Sequence, residues 1–282
     1  GDHRDLHVRS RRQRQMCIRD SKYSTYIKEG FILKLREFVE YKTNSYMGLI
    51  FSIVYLISLL VFGLIFLNNF EEFLGWSKIN VIFFVVVSGF FATLGGIFCF
   101  GLNLKGVLLE GTMNSYLNRP INVWLQFTMK SIVTSFLAPF IFYFISLIVL
   151  ISIYHSLFSI LNTILFFVFG SLGMLFFVFT FHFFVSIHFF LKEATFLLRA
   201  YLLPQRMFDM FPAIIFKGNI KVFSYFFANV FYGVYATQVL FGMIEFKELV
   251  FLFTFLIIII GFLMFGTYLL WKKGLEKYEA FG

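Results

Sequence analysis

Apolar residues in this chain fall in long unbroken runs, separated by short polar stretches. A hydrocarbon core about 30 Å thick needs roughly 20 consecutive apolar residues in a helix. Six stretches meet that length: Tyr46–Leu67, Ile79–Leu102, Ile132–Tyr154, Leu161–Phe190, Val222–Met243 and Leu249–Trp271. None of them contains Asp, Glu, Lys or Arg. The runs lack the in-and-out alternation that strands with one wet face require, which argues against a barrel. The pattern predicts an all-α polytopic membrane protein with six transmembrane helices. Leu161–Phe190 is longer than the bilayer demands, so it is expected to tilt or project beyond the lipid. Pro139 is expected to kink the third span. In the second span Gly89, Thr93 and Gly96 form a small-residue face suited to close helix approach.

A different period precedes the first run. Ile27, Phe31, Leu35 and Phe38 recur at steps of four, four and three, so Tyr26–Tyr41 reads as an amphipathic helix with one apolar stripe. Lys28, Glu29, Lys34, Arg36, Glu37 and Glu40 take the other faces. Such a helix rests in the headgroup layer or packs on cytoplasmic loops before the chain turns inward. The chain therefore divides into a tail (1–21), an amphipathic interfacial elbow helix (22–45) and a six-helix transmembrane domain (46–282). The string from Val8 to Ser21 is Arg-rich where the rest prefers Lys, and it has no amphipathic period. It resembles translated sequencing-adapter sequence and is set aside from fold reasoning.

Composition sharpens the class. Of 282 residues, 60% are apolar and 14% charged, and 46 are Phe, whereas soluble domains run about 45–50% apolar and about 25% charged. So much Phe on a soluble fold would leave an aggregating surface. Disorder needs low hydrophobicity, and Cys17 and Cys99 are too few for a disulfide scaffold. The net charge of +9 does not mark a nucleic-acid binder, because the cations sit between bilayer-length runs. Eleven Lys and Arg precede Tyr46, three lie in Leu102–Ile132, five in Phe190–Val222 and three follow Trp271. That makes 22 on one side, against Lys78 and Lys247 on the other, beside Glu71, Glu72, Glu245 and Glu248. The positive-inside rule then predicts both termini in the cytoplasm.

Familiar catalytic chemistry is missing. No G-x-x-x-x-G-K-[ST] string occurs; Gly106 to Thr112 has two glycines but lacks the phosphate-contacting Lys. No H-E-x-x-H or C-x-x-C spacing offers a metal anchor. His182 and His188 lie six apart, roughly opposed on a helix, and cannot share a ligand. Intramembrane charges mark ion paths and proton relays; with none in any span, ion-coupled transport is disfavoured. The convergent Glu, His, Asp or Ser–Lys sets of an intramembrane enzyme are missing too. The chain is read as non-catalytic, with its driving energy supplied from outside.

The connection Lys105–Lys130 carries the most information. It reads as a short helix bearing Leu108, Leu109 and Tyr116, stopped at Arg119 by Pro120. A rigid, partly apolar element between two spans suits docking to a soluble partner, or is simply a capped connector. In the fifth span Tyr225, Asn229, Tyr232 and Ala236 follow steps of four, three and four. This semi-polar stripe should face protein or water, as a transport path, a subunit interface or a packing hydrogen bond.

The pattern from Gly111 through Met113, Leu117, Arg119 and Pro120 resembles that of the ATP-binding-cassette type-2 permeases, and within them the six-span branch of bacterial exporters. Glu40-Tyr41-Lys42 is similar to that family's elbow before the first span, and Met210-Phe211-Pro212 to its aromatic–Pro step before the fifth. The ending from Trp271 to Gly282 is similar to its basic, aromatic tail. The family's usual prolines within the fifth span are replaced here by Asn229 to Thr237. The resemblance implies a half-transporter in the bacterial cytoplasmic membrane, pairing with a second copy or a paralogue. A separate cytoplasmic ATPase would carry ATP and Mg, none being bound by this chain. Glu110, Gly111, Tyr116, Leu117, Arg119 and Pro120 would then lie in or beside the helix that meets the ATPase. Charge-free spans suggest a hydrophobic or amphipathic cargo, and the resemblance alone implies that it moves outward. The rival reading is a nucleotide-independent channel, flippase or assembly scaffold.

Overall fold

A computed structural model describes residues 23–69, 76–99, 101–191, 193–210 and 218–278. The adapter-like tail, Glu71 and Glu72, Phe211-Pro212 and the last four residues lie outside that set. The first helix, α1, covers residues 23–40 and breaks at Tyr41, where α2 (Lys42–Asn69) begins. Then come α3 (Lys78–Cys99), three short helices α4 (Leu104–Leu109), α5 (Asn114–Leu117) and α6 (Val123–Lys130), and α7 (Leu137–Ile153). Helices α8 (Ile160–Ser186), α9 (Thr195–Met210), α10 (Asn219–Ser224), α11 (Ala236–Leu240) and α12 (Phe246–Glu276) complete the chain. Among the described residues five helices (α2, α3, α7, α8 and α12) are long and apolar enough to cross a membrane. The architecture is the expected all-α polytopic one.

The bundle has two ends. The connector end gathers α4–α6 with the last turns of α3, α8 and α12; the far end gathers the α7–α8 and α11–α12 links. Aromatic clusters fasten both. At the far end Phe83 meets Tyr154, Phe158 and Phe241 edge-on, at 6.0, 5.2 and 5.3 Å between ring centroids. At the connector end Trp271 sits between Phe127 and Phe189, at 5.4 and 5.1 Å. Such pairs contribute about 0.5–1.5 kcal/mol each beyond area burial, which gives the abundant Phe a structural use where lipid tails provide no hydrophobic drive. Helix α3 is central, with 72% of its apolar window buried, whereas that of α2 is 6% buried. Within this chain, α2 is a peripheral helix: Leu59 is buried and Leu56 and Leu60 pack on the core, while Tyr46, Ile50, Phe51, Val54, Ile57 and Val61 are exposed.

The fifth apolar stretch differs from expectation. Val222–Met243 is not one helix: α10 ends at Ser224, a turn covers Tyr225 and Phe226, and the chain resumes as a π-helical segment, Val230–Tyr235, running into α11. The reason lies in its neighbours. A Cβ on Gly173 of α8 would stand 2.7 Å from the Tyr232 nitrogen, so the two backbones meet with no side chain between them. On the opposite side Gly233 packs against Ser88 of α3. A segment wedged between two long helices is held by their shape and has no need of a continuous lipid-facing surface.

The preceding connection also departs from its expected place. Tyr201 of α9 stacks on Phe227 at 5.5 Å and accepts a hydrogen bond from the Ala228 nitrogen at 3.4 Å. By Gln205, α9 has climbed from the connector end to the level of Tyr232. Lys221 of α10 then pairs with Glu248 in the first turn of α12 at 3.4 Å, at the far end. Phe190–Val222 is therefore not confined to one end, and Lys221 joins Lys78 and Lys247 at the other. The connector end still keeps the large cation excess.

Candidate coupling knuckle and membrane groove

The part of the connector before Pro120 is two helices, α4 and α5, not the single one expected. Gly111 adopts φ +67°, which a right-handed helix cannot accommodate, so α4 stops at Leu109 and α5 starts beyond the turn. Asn103 and Asn122 cap the flanking helices, their side-chain oxygens accepting from the Gly106 and Leu125 nitrogens at 3.0 and 3.2 Å. The chain thus folds into a knuckle between two defined stops, with Pro120 in the turn after α5.

The knuckle has an inside and an outside. Met113 is fully buried and Tyr116 is 6% exposed. Gln126 of α6 donates to the carbonyls of Tyr116 and Ile121 at 3.1 and 2.7 Å, and the Lys130 ammonium lies 5.1 Å from the Tyr116 ring centre. Leu109, Glu110, Leu117, Arg119 and Pro120 are exposed, and Gly111 half so. Of the six residues expected at a docking surface, Tyr116 is an anchor beneath it.

Helix α1 flanks the knuckle. Tyr23, Tyr26, Gly30, Lys34 and Glu37 are half-buried, and Gly30 approaches Met129 of α6. A groove of about 350 Å³ runs between α1 and the knuckle, lined by Glu29, Lys34, Arg119 and Lys130 among others. The apolar residues Ile27, Phe31 and Leu35, one position further around the helix, stay exposed. One face packs on the connector, the second of the two expected placements, and the adjacent apolar face is exposed.

Polar contacts link the knuckle to α9. Lys105 of α4 donates to Glu193 at 2.6 Å, and this hydrogen bond and charge hold the Glu193 carboxyl below its ordinary range. His188 lies 3.3 Å from the Thr195 hydroxyl at the start of α9. His182, on another side of α8, is buried against the Trp124 indole, 5.5 Å between ring centres. The two histidines do not converge.

The fifth-span stripe is only partly a stripe. Tyr225 sits in the turn before the π segment, half-buried, its hydroxyl 3.3 Å from that of Tyr235. Asn229, Tyr232 and Ala236 are buried. Asn229 donates to the Gln205 carbonyl at 2.6 Å, and the Gln205 amide donates to the Tyr232 hydroxyl at 3.3 Å. This polar knot ties α9 to the π segment.

Open space lies elsewhere. A groove of about 780 Å³ runs between α2, α3 and α7, lined by Phe51, Tyr55, Ala92, Thr93, Pro139, Tyr143 and others. Among the described residues its single charged lining residue is Arg206, from α9. Gly89 and Tyr143, also in the lining, stand near the mid-lengths of α3 and α7. Arg206 thus brings a cation to a level where the spans themselves have none.

Residues 52–282 match the family model described as ABC-2 family transporter protein. The chain belongs to the ABC-2 transporter family. No curated protein and no solved structure matches it. Two features of this ABC-2 chain escaped sequence reading. Gln205 and Arg206 lie in the expected Phe190–Val222 connection but belong to a helix, α9, whose hydropathy is depressed by Arg199, Pro204, Arg206 and Asp209. A signal was present: Leu198, Tyr201, Leu202, Gln205 and Phe208 recur at helical spacing, and they form the packed face. Pro204 lies inside α9, where it cannot donate to the Ala200 carbonyl. Met113, the deepest anchor of the knuckle, lay in the quoted motif without a role.

Proposed function

We propose that this ABC-2 chain is the permease subunit of an exporter driven by a separate cytoplasmic ATPase. The observation that carries the reading is the knuckle: an exposed rim of Leu109, Glu110, Leu117, Arg119 and Pro120 set over the buried anchors Met113 and Tyr116. A rim fixed to its base transmits force; a floppy loop would absorb it. ATP and Mg belong to the ATPase, and closing of its dimer displaces the rim. The displacement passes along Lys105–Glu193 and His188–Thr195 into α9, and through Gln205 to the π segment. The cation excess at the connector end supports cytoplasmic termini in a bacterial plasma membrane. A second copy, or a paralogue, covers the free surface of α2. The apolar groove suits a hydrophobic or amphipathic cargo.

Purification with a cognate ATPase and reconstitution in vesicles tests this. Leu117→Asp with Arg119→Glu should leave folding intact and abolish cargo-stimulated hydrolysis. Unchanged hydrolysis, or cargo movement needing no nucleotide, would favour the channel, flippase or scaffold reading.

A further inference from the structure

The groove between α2, α3 and α7 combines two properties that select one kind of ligand. Its walls are apolar, with an exposed area of hydrocarbon and aromatic carbon that far exceeds the polar part. Its polar wall atoms come from small hydroxyls such as Ser52, Thr93 and Ser135, and from the Tyr55 and Tyr143 phenols. Against this background Arg206, an exposed side chain, is the one charge among the described lining residues. The guanidinium pairs with no carboxylate among the described side chains; that of Asp209, one turn further along α9, lies outside them. A guanidinium at bilayer depth is expensive unless an anion or water meets it. Its planar fork of donors fits the paired oxygens of a carboxylate or phosphate.

We propose that the groove binds a single-headed anionic amphiphile, its carboxylate or phosphate held by Arg206 and its alkyl chain laid along Phe51, Ala92 and Pro139. This deepens the exporter reading and rests on it for the claim that the ligand is cargo. Binding itself needs no ATPase. The occupant is a lipid-like molecule and not free phosphate, because only an alkyl chain uses the apolar walls. Arg206 also stands next to Gln205, whose carbonyl and side chain hold Asn229 and Tyr232. An anion at Arg206 is therefore one residue from the knot joining α9 to the π segment.

The test uses the purified full-length permease in nanodiscs of a zwitterionic lipid, without ATPase. Binding of dodecyl phosphate, dodecanoate, dodecanol, dodecyltrimethylammonium and inorganic phosphate is compared by calorimetry. The two anionic amphiphiles should bind roughly tenfold or more tightly than dodecanol. Dodecyltrimethylammonium and inorganic phosphate should show no saturable binding. Arg206→Gln should remove the preference, leaving the anionic probes equal to dodecanol, while Arg206→Lys keeps part of it. Phe51→Ser should weaken every amphiphile alike without changing the order. Equal binding of all chain-matched probes would overturn the proposal. An anion preference that survives in Arg206→Gln, or one that appears only in Asp209→Asn, would do so as well. If the preference is found but no ATPase couples, the ligand site stands and the exporter reading fails. If coupling is found without the preference, the exporter stands and this site does not.

Discussion

Helix α12 and the segment from α9 to α11 are both helical parts of one bundle, yet they are built on opposite plans. Helix α12 is one unbroken run, and its buried residues, Leu252, Leu256, Ile260, Leu263, Thr267, Trp271 and Gly274, recur at steps of three and four along one seam. Its other side is left to lipid, as at Ile257, Ile258 and Phe262. The α9–α11 segment breaks at Tyr225 and Phe226 and carries charges, a proline and a π-helical stretch. Almost everything from Phe227 to Leu240 is buried in protein. Lipid permits only regular, self-satisfied backbone on its own surface, while protein walls tolerate irregular backbone. The broken segment is where conformational change has room to act, and π turns often mark such places.

Steric substitution gives the largest contrast. Gly173→Leu drives a side chain into the Tyr232 backbone and should destabilise the protein by about 3 kcal/mol or more, seen as a lowered thermal midpoint in detergent. Gly261→Leu in α12, where a Cβ meets open space, should change that midpoint little or raise it slightly. Equal losses at both would erase the distinction between the two plans.

The polar knot comes next. Asn229→Leu leaves the buried Gln205 carbonyl without this donor and should cost about 1–3 kcal/mol. Thr254→Val removes only an exposed hydroxyl that bonds back to the Val250 carbonyl of its own helix, and should stay within about 0.5 kcal/mol. Chemical denaturation of the two variants side by side checks this. Smaller again, Gly111→Ala should cost about 1–2 kcal/mol from its positive φ alone, since a Cβ there meets nothing.

The smallest effect is on the tie between the connector and α9. The Glu193 carboxyl is held below its ordinary range by Lys105, so the tie is complete above that range and is lost as pH falls through the depressed value. Amide exchange in the first turn of α9, corrected for intrinsic rates, should quicken on acidification, and Glu193→Gln should reproduce this at neutral pH. No change in either case would remove the tie from the proposed route.

The legible parts of the sequence are those whose environment is uniform. The α12 run, the apolar face of α1 and, to within two residues, the helix stop expected at Arg119 and found after Leu117 could be read because lipid, headgroups and a turn each impose a simple rule. Gly111 carried the signal that splits the connector, since only a left-handed turn demands glycine there, but a single glycine within a helical pattern did not announce it. The fifth span was misread because an apolar run is the same whether it faces oil or a neighbouring helix. Arg206 was missed because its charge hid the helix that lifts it. The residues expected to couple come from one connector, and burial separates Tyr116 from the rest, a distinction that spacing alone cannot make.

The central claim is that force enters through the knuckle. Photo-crosslinking residues placed at Leu117, Arg119 and, as a far-end control, Ile160 test it in the co-expressed complex. The account predicts adducts with the ATPase from Leu117 and Arg119, changing in yield when ATP is trapped, and none from Ile160. An ATPase that binds the complex yet forms no adduct at either knuckle position would contradict it.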